Sequence, residues 1–140
     1  MIAQSTLSLI IGFEGKRNRA YKDSRGLPTI GVGHLILPSE SYLLTATLTD
    51  EQVEDLLRKD LEWCETAING CIQTPINQNE FDALCSLCFN IGAANFKNSL
   101  VVKKLNANDY QGAADAFLNW DKPPELLGRR QKERELFIGA

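Results

Sequence analysis

One small β signal, set into a chain otherwise patterned for helices, constrains the fold more than any other feature. It lies in residues 20–36. Alternation puts Tyr21 and Asp23 on one strand face, and Ser24-Arg25-Gly26-Leu27-Pro28 is a turn sequence that reverses the chain. Pro28 has no N–H to donate and suits an edge strand. Gly31 and Gly33 remove side chains, so a bulky ligand can approach the backbone there. Helical patterns lie on both sides. Residues 4–13 predict a first helix, with Ser5 or Thr6 as its cap. Residues 37–48, with Pro38 and Ser39, read as loop. Thr49-Asp50-Glu51-Gln52 is a capping box, after which Val53, Leu57, Leu61, Cys64 and Ile68 recur at helical spacing up to Gly70. That spacing predicts one long helix over 50–69. Asn77 with Glu80 opens another, apolar over most of its circumference as in a helix central to a core, and Gly92 stops it. Shorter helices are predicted at about 98–105, 109–119 and 126–138. A helix, a small sheet and then many helices make an α+β arrangement, and 140 residues suit one compact domain.

Charge and cysteine usage narrow the function classes. A net charge of −3 argues against a nucleic-acid binder, which is normally basic. Basic residues are nonetheless concentrated locally, at Arg17, Arg19, Lys22 and Arg25. No apolar run is long enough to span a membrane. Leu9-Ile10-Ile11 is too short for a signal-peptide core and no basic residue precedes it, so neither a signal peptide nor a transmembrane segment is expected. The four cysteines are Cys64, Cys71, Cys85 and Cys88, and the last two form a CxxC. That spacing raises a metal site or disulfides. The other reading is buried thiols, because Cys64 and Cys71 fall on one helix face and Cys85 and Cys88 lie in an apolar helical run. His34 is the single histidine, which makes a metal site hard to build. Buried thiols and no metal are the expectation.

The residues that carry chemistry sit around the β signal. Eight residues separate Glu14 from Asp23, and five separate Asp23 from Thr29. Hydrolysing a glycosidic bond needs a proton for the leaving oxygen, stabilisation of an oxocarbenium-like centre, and a nucleophile. Glu14 follows Phe13 near a helix end, where partial burial would raise its pKa and suit it as the acid. Asp23, in a polar hairpin, should stay ionised. It also reads as a turn-initiating residue. Thr29 offers a hydroxyl, although a β-branched residue serves any strand.

That Glu, Asp, Thr spacing resembles the signature of the phage-type lysozymes, glycoside hydrolase family 24, and the chain looks most like their shorter temperate-phage branch. The framing is similar as well: Phe13-Glu14-Gly15, Ala20-Tyr21, Thr29-Ile30-Gly31-Val32-Gly33-His34, Phe89-Asn90-Ile91-Gly92 and Arg129-Arg130. The resemblance implies a lysozyme-like single domain over 1–140. A β lobe would span about 14–49, a connecting helix about 50–69 and a helical lobe about 70–140. The first helix would pack on the helical lobe, with the active-site cleft between the lobes. It implies an endolysin, a muramidase that cuts between N-acetylmuramic acid and N-acetylglucosamine in peptidoglycan to lyse the host. Glu14 would be the acid, Asp23 would orient water or stabilise charge, and Thr29 would help hold the water. Leu35, Phe89, Asn90 and Ser99 would touch sugar, and Tyr21 and Trp120 could present ring faces. His34 would bond Asp60 structurally. Arg129 would pair with Glu14, unless Arg129-Arg130 is simply a solvated helix face. No cofactor is implied. A monomer made in the host cytoplasm would reach periplasmic murein through a separate holin or export route. An inactive murein-binding module, a lytic transglycosylase and a toxin delivered between bacteria remain as alternatives. Asp121-Lys122-Pro123-Pro124-Glu125 departs from the glycine-containing loop of relatives.

Overall fold

The structure, a computed structural model, describes residues 1–139. The chain divides into two compact units, Leu7–Leu61 and Met1–Thr6 with Glu62–Ala140. Helix α1 spans Gln4–Glu14. Neither expected cap stands at its start: the Thr6 hydroxyl accepts from the Ala3 N–H at 3.0 Å, and Ser5 and Thr6 both donate to Asp82, at 2.6 and 2.5 Å. A buried carboxylate in the helical unit has claimed both hydroxyls.

In the sheet unit, β1 (Arg17–Lys22), β2 (Pro28–Gly31) and β3 (His34–Leu35) form an antiparallel sheet in that order. The turn closes through Asp23 N–H to Leu27 O at 2.9 Å and Gly26 N–H to Asp23 O at 2.8 Å. Gly26 sits at φ +78°, a conformation glycine reaches without steric cost. Pairing of Tyr21 with Thr29, Thr29 with Leu35 and Ile30 with His34 sorts side chains onto two faces. One face carries Ile30, which joins Ile36 and Leu43 in a buried cluster flanked by Ala20, Ala46, Leu48 and Leu56. The other carries Tyr21, Thr29 and Leu35 in a row.

Residues 37–48 are not all loop, because Pro38–Leu44 forms a 3-10 helix. Proline suits its first turn, the Glu40 carboxylate accepts from the Leu37 N–H at 3.1 Å, and the turn carries Leu43 into the cluster. The expected capping box opens α2 (Asp50–Asp60): Gln52 N–H reaches the Thr49 hydroxyl at 3.1 Å, and Thr49 N–H reaches the Gln52 amide oxygen at 2.8 Å. The single helix expected over 50–69 is divided. At Leu61, φ −77° and ψ −6° end α2, and α3 runs Glu62–Cys71, through Gly70. The apolar spacing continues unbroken across Leu61, so nothing local in the sequence marks the break.

The helical unit is built around α4 (Gln78–Ile91), where every residue from Phe81 to Cys88 is buried. Asn77 caps it through a second box, with Asn77 and Glu80 exchanging two 2.8 Å bonds. Gly92 ends it at φ +91°. Short helices follow: α5 (Ala93–Lys97), which the sequence pattern did not indicate, α6 (Leu100–Asn106) and α7 (Tyr110–Ala116). The last, α8 (Leu127–Ile138), packs along α4. All four cysteines are free thiols, and Cys64, Cys85 and Cys88 are buried. Hydrogen bonding to the thiols of Cys85 and Cys88, together with burial, pushes the Cys64 thiol far up, so it stays protonated. No helix among the described residues is long and apolar enough to cross a membrane.

Candidate active site

The hairpin places Asp23 and Thr29. Thr29 pairs with Tyr21, and Asp23 lies two residues beyond Tyr21 on the same face. Asp23 and Thr29 are therefore diagonal neighbours, with β-carbons separated by about 7 Å in such a pair. One Asp23 oxygen, Oδ1, accepts from the Arg25 N–H at 2.8 Å and the Leu27 N–H at 2.9 Å. The other, Oδ2, lies 3.1 Å from the Arg25 guanidinium. The Leu27 N–H, with Arg25, holds the Asp23 carboxyl below the usual carboxylate range against a smaller opposing effect of burial, so it is ionised. Thr29 is buried, and its hydroxyl donates to Leu27 O at 3.0 Å. With its proton so engaged, Oγ1 can only accept from a further partner. Leu35, across the strand from Thr29, is exposed and extends the same face. Arg17 lies 4.9 Å over the Tyr21 ring and covers one of its faces.

Glu14 is the last residue of α1, with Gly15 and Lys16 between it and β1. The partial burial expected for it is absent, and it is exposed. The surroundings are open: at Gly12 and Gly15 an added β-carbon would meet nothing within 4 Å.

His34 lies on the core side of the sheet, between two carboxylates. Its Nδ1 is 2.7 Å from Asp60 Oδ2, and its Nε2 is 2.9 Å from Glu40 Oε1. Burial lowers the imidazole pKa, but the hydrogen bonds from Glu40 and Asp60 outweigh it and the net direction is up. Glu40 is pulled down, by His34 first and the Leu37 N–H second. Asp60 corrects the simple ion-pair expectation: burial raises its pKa although His34 opposes the rise. Of the two anions facing one imidazolium, Glu40 is the one more firmly ionised.

In the helical unit Phe89 stacks on Trp63, with centroids 6.3 Å apart and planes 26° apart. Ser99 is buried and caps α6, donating to Phe96 O at 2.7 Å and accepting from the Val102 N–H at 3.3 Å. It also lines a cavity of about 280 Å³ with Asn98, Leu100, Asn119 and Trp120. Arg129 belongs to a network on α4 and α8. Its Nε donates to Glu133 at 3.2 Å and its Nη2 to the Ser86 carbonyl at 3.1 Å. Glu133 also accepts from the Ser86 hydroxyl at 2.5 Å and from Arg130 at 2.6 Å. Arg130 in turn donates to the Asn90 amide oxygen. Burial raises the Glu133 pKa, while Arg130, Ser86 and Arg129 oppose the rise. Arg129-Arg130 is thus not a solvated face, since Arg130 is 0% exposed.

Residues 11–133, which contain Glu14, Asp23, Thr29, Asn90 and Glu133, match the phage lysozyme family. The chain belongs to that family. It is 51% identical to the endolysin of Salmonella phage P22 over 130 residues, covering 89% of each chain. A crystal structure of a P22 lysozyme mutant superimposes with a TM-score of 0.93 at 45% identity, covering 99% of this chain and 98% of that one. The muramidase domain of SpmX from Asticaccaulis excentricus does so with a TM-score of 0.85 at 36% identity, covering 99% and 97%.

Within this phage lysozyme scaffold the structure brings Asp23, Thr29 and Leu35 onto one sheet face, and His34 against Asp60. Sequence reasoning gave no role to Glu40, Ser86 or Glu133, and it weighed Arg130 only as part of a solvated helix face. Glu133 follows Arg129 and Arg130 by four and three residues, the spacing of helical ion pairs, and that signal was readable. Glu40 and Ser86 gave none, because only tertiary packing brings them to their partners. No group of three or more His, Cys, Asp or Glu side chains among the described residues could hold a metal ion.

Proposed function

We propose that Glu14, Asp23 and Thr29 carry the hydrolysis in this chain, a lysozyme-type glycoside hydrolase that acts on peptidoglycan. The bond cleaved is the β-1,4 linkage between N-acetylmuramic acid and N-acetylglucosamine. The observation that carries the reading is the hairpin face. An ionised Asp23 lies diagonally across the hairpin from a Thr29 oxygen that can only accept. A water there donates one hydrogen to Thr29 Oγ1 and the other to the Asp23 carboxylate. Its lone pair then faces the anomeric carbon as Glu14 protonates the leaving oxygen. Leu35 beside Thr29 supplies a sugar contact in the sheet unit, and Phe89, Asn90 and Ser99 are proposed as sugar contacts of the helical unit by the family resemblance.

Purified murein tests this. Asp23→Ala should lose most reducing-end release while its melting temperature stays near that of the wild type. An unfolded Asp23→Ala protein would leave only the turn role of Asp23. Mass spectrometry separates hydrolysis from lytic transglycosylation, since hydrolysis adds one water to the products. The chain is further proposed to act as a monomer on periplasmic murein after synthesis in the host cytoplasm, with a separate holin or export route for membrane passage. Size-exclusion chromatography and lysis timing with and without a holin check these two points.

A further inference from the structure

We propose that Arg17, Arg19 and Lys22 on β1 form a docking strip for the carboxylates of the murein peptide stem. This rests on the muramidase reading above. The chain has a net charge of −3 and 15 basic residues, yet five of the 15 fall within residues 16–25, where Asp23 is the one acidic residue. Two of the five are committed within the fold. Lys16 Nζ lies 2.8 Å from Asp50 Oδ1, and Arg25 Nη2 lies 3.1 Å from Asp23 Oδ2. Arg17, Arg19 and Lys22 are exposed, and among the described residues none of the three has an acidic partner. Arg17 lies over the ring of Tyr21, which stands in a row with Thr29 and Leu35. Its charge is thereby brought to the face that carries Asp23.

Charges on an edge strand guard it against pairing with another strand. Here that edge is already covered. Leu48 N–H donates to Asn18 O at 2.8 Å, Asn18 Nδ2 donates to Leu48 O at 2.9 Å, and Arg19 bridges to Thr47. The three cations are left for another role. Salt screens exposed charges beyond about 8 Å at physiological ionic strength, so a ligand at this face meets the strip and not the charge of the whole chain. One part of peptidoglycan matches it. The glycan itself is uncharged, because its sugars are N-acetylated and the lactyl carboxyl of each muramic acid is taken up in an amide bond to the stem. The free carboxylates belong to the stem peptide. From Arg17 to Lys22 a strand rises by at most about 16 Å, which an extended peptide of four or five residues can follow. Charge thus selects the stem over the sugar rings as the occupant of the strip.

The test uses soluble, uncross-linked murein glycan strands in three forms: with intact stems, with stems removed at the lactyl amide, and with stem carboxylates converted to amides. In the wild type at low salt, KM should be about three- to thirtyfold lower on intact stems than on either other form, the combined worth of three exposed ion pairs, with kcat little changed. The variant Arg17→Gln/Arg19→Gln/Lys22→Gln should lose that advantage and keep the wild-type KM on the other two forms. Arg17→Lys/Arg19→Lys retains the charge and should stay near the wild type. Raising the salt should shrink the wild-type advantage and leave the neutral variant nearly flat. Each single replacement should carry a share of the loss, which decides the matter where the triple variant fails to fold. Wild-type KM on intact stems in the neutral variants overturns the proposal, and so does an equal rise on all three forms. Loss of sedimentation with anionic phospholipid vesicles, with KM on intact stems unchanged, moves the strip to a membrane surface and also overturns it. A wild type that releases no reducing ends from any form refutes the muramidase reading. An active wild type indifferent to the stems refutes this inference alone.

Discussion

His34 in the sheet unit sits between two carboxylates, and Glu133 in the helical unit sits between two guanidinium groups. The arrangements are inversions of each other, and they differ in burial. The His34 side chain is 11% exposed and its partners 22% and 25%, whereas Glu133 and Arg130 are at 0%. The cation accounts for the difference. Imidazole can shed its proton near neutral pH, so its partners need access to water for the times they stand alone. A guanidinium never does so, and a pair built on it can be sealed in the core. The sheet unit keeps its His34 cluster partly open to water, and the helical unit seals the Arg130–Glu133 pair away from it.

The largest effect tests whether exposure separates chemistry from stability. Glu14→Gln should cut murein hydrolysis by roughly 10²–10⁴-fold, the span of general acid catalysis, while the urea midpoint stays at its wild-type value. Retention of more than about a tenth of the activity would remove Glu14 from the acid role. Arg130→Met is the opposite case. It removes one of the two guanidinium partners of a fully buried carboxylate, leaving Arg129 and Ser86, and should cost about 3–5 kcal/mol in urea unfolding, whatever happens to turnover. A loss below about 1 kcal/mol would mean that Glu133 simply takes up a proton at little cost, as its raised pKa allows.

His34→Asn should cost on the order of 1–3 kcal/mol near pH 6, with activity per folded molecule retained. Its pH dependence follows from the directions of the shifts. The raised His34 pKa gives a contribution complete below the ordinary 6.5 and lost as pH climbs through the folded value. The lowered Glu40 pKa gives a contribution complete above the ordinary 4.5 and lost as pH falls through the folded value. Asp60, raised by burial, works the other way and subtracts stability once pH passes from its ordinary 3.8 up through its folded value. The wild type's advantage over His34→Asn should therefore be greatest between the two ordinary values, 4.5 and 6.5. A flat difference from pH 4 to 8 would show that the imidazole is not charged in the fold. The smallest effects should be the same in both units: Thr49→Ala and Asn77→Ala each remove one cap and should each cost about 1 kcal/mol. A large inequality between them would show that one box holds more than its own helix.

Local physics determined much of this protein before any packing. Both capping boxes act within four residues, so Thr49 and Asn77 mark true helix starts. The turn around Gly26 and the alternation of Tyr21, Asp23 and Thr29 likewise need only backbone sterics and a two-residue period. The hairpin face that supports the catalytic reading was for that reason legible in the sequence. Where tertiary contacts competed, the sequence misled. Ser5 and Thr6 look like caps, but Asp82, more than seventy positions away, takes both hydroxyls. The apolar ridge through Leu57, Leu61 and Cys64 has helical spacing throughout, yet the backbone leaves the helix at Leu61, where the two units meet in sequence. Glu14 beside Phe13 suggested burial, but this end of α1 is open and Glu14 is exposed. Only the folded chain decided that Glu40 joins Asp60 at His34, that Asp60 is raised rather than lowered, and that Arg130 is sealed against Glu133 and holds Asn90. Each of these depends on which distant groups share a low-dielectric space, and residue order fixes spacing along the chain but not the company a side chain keeps.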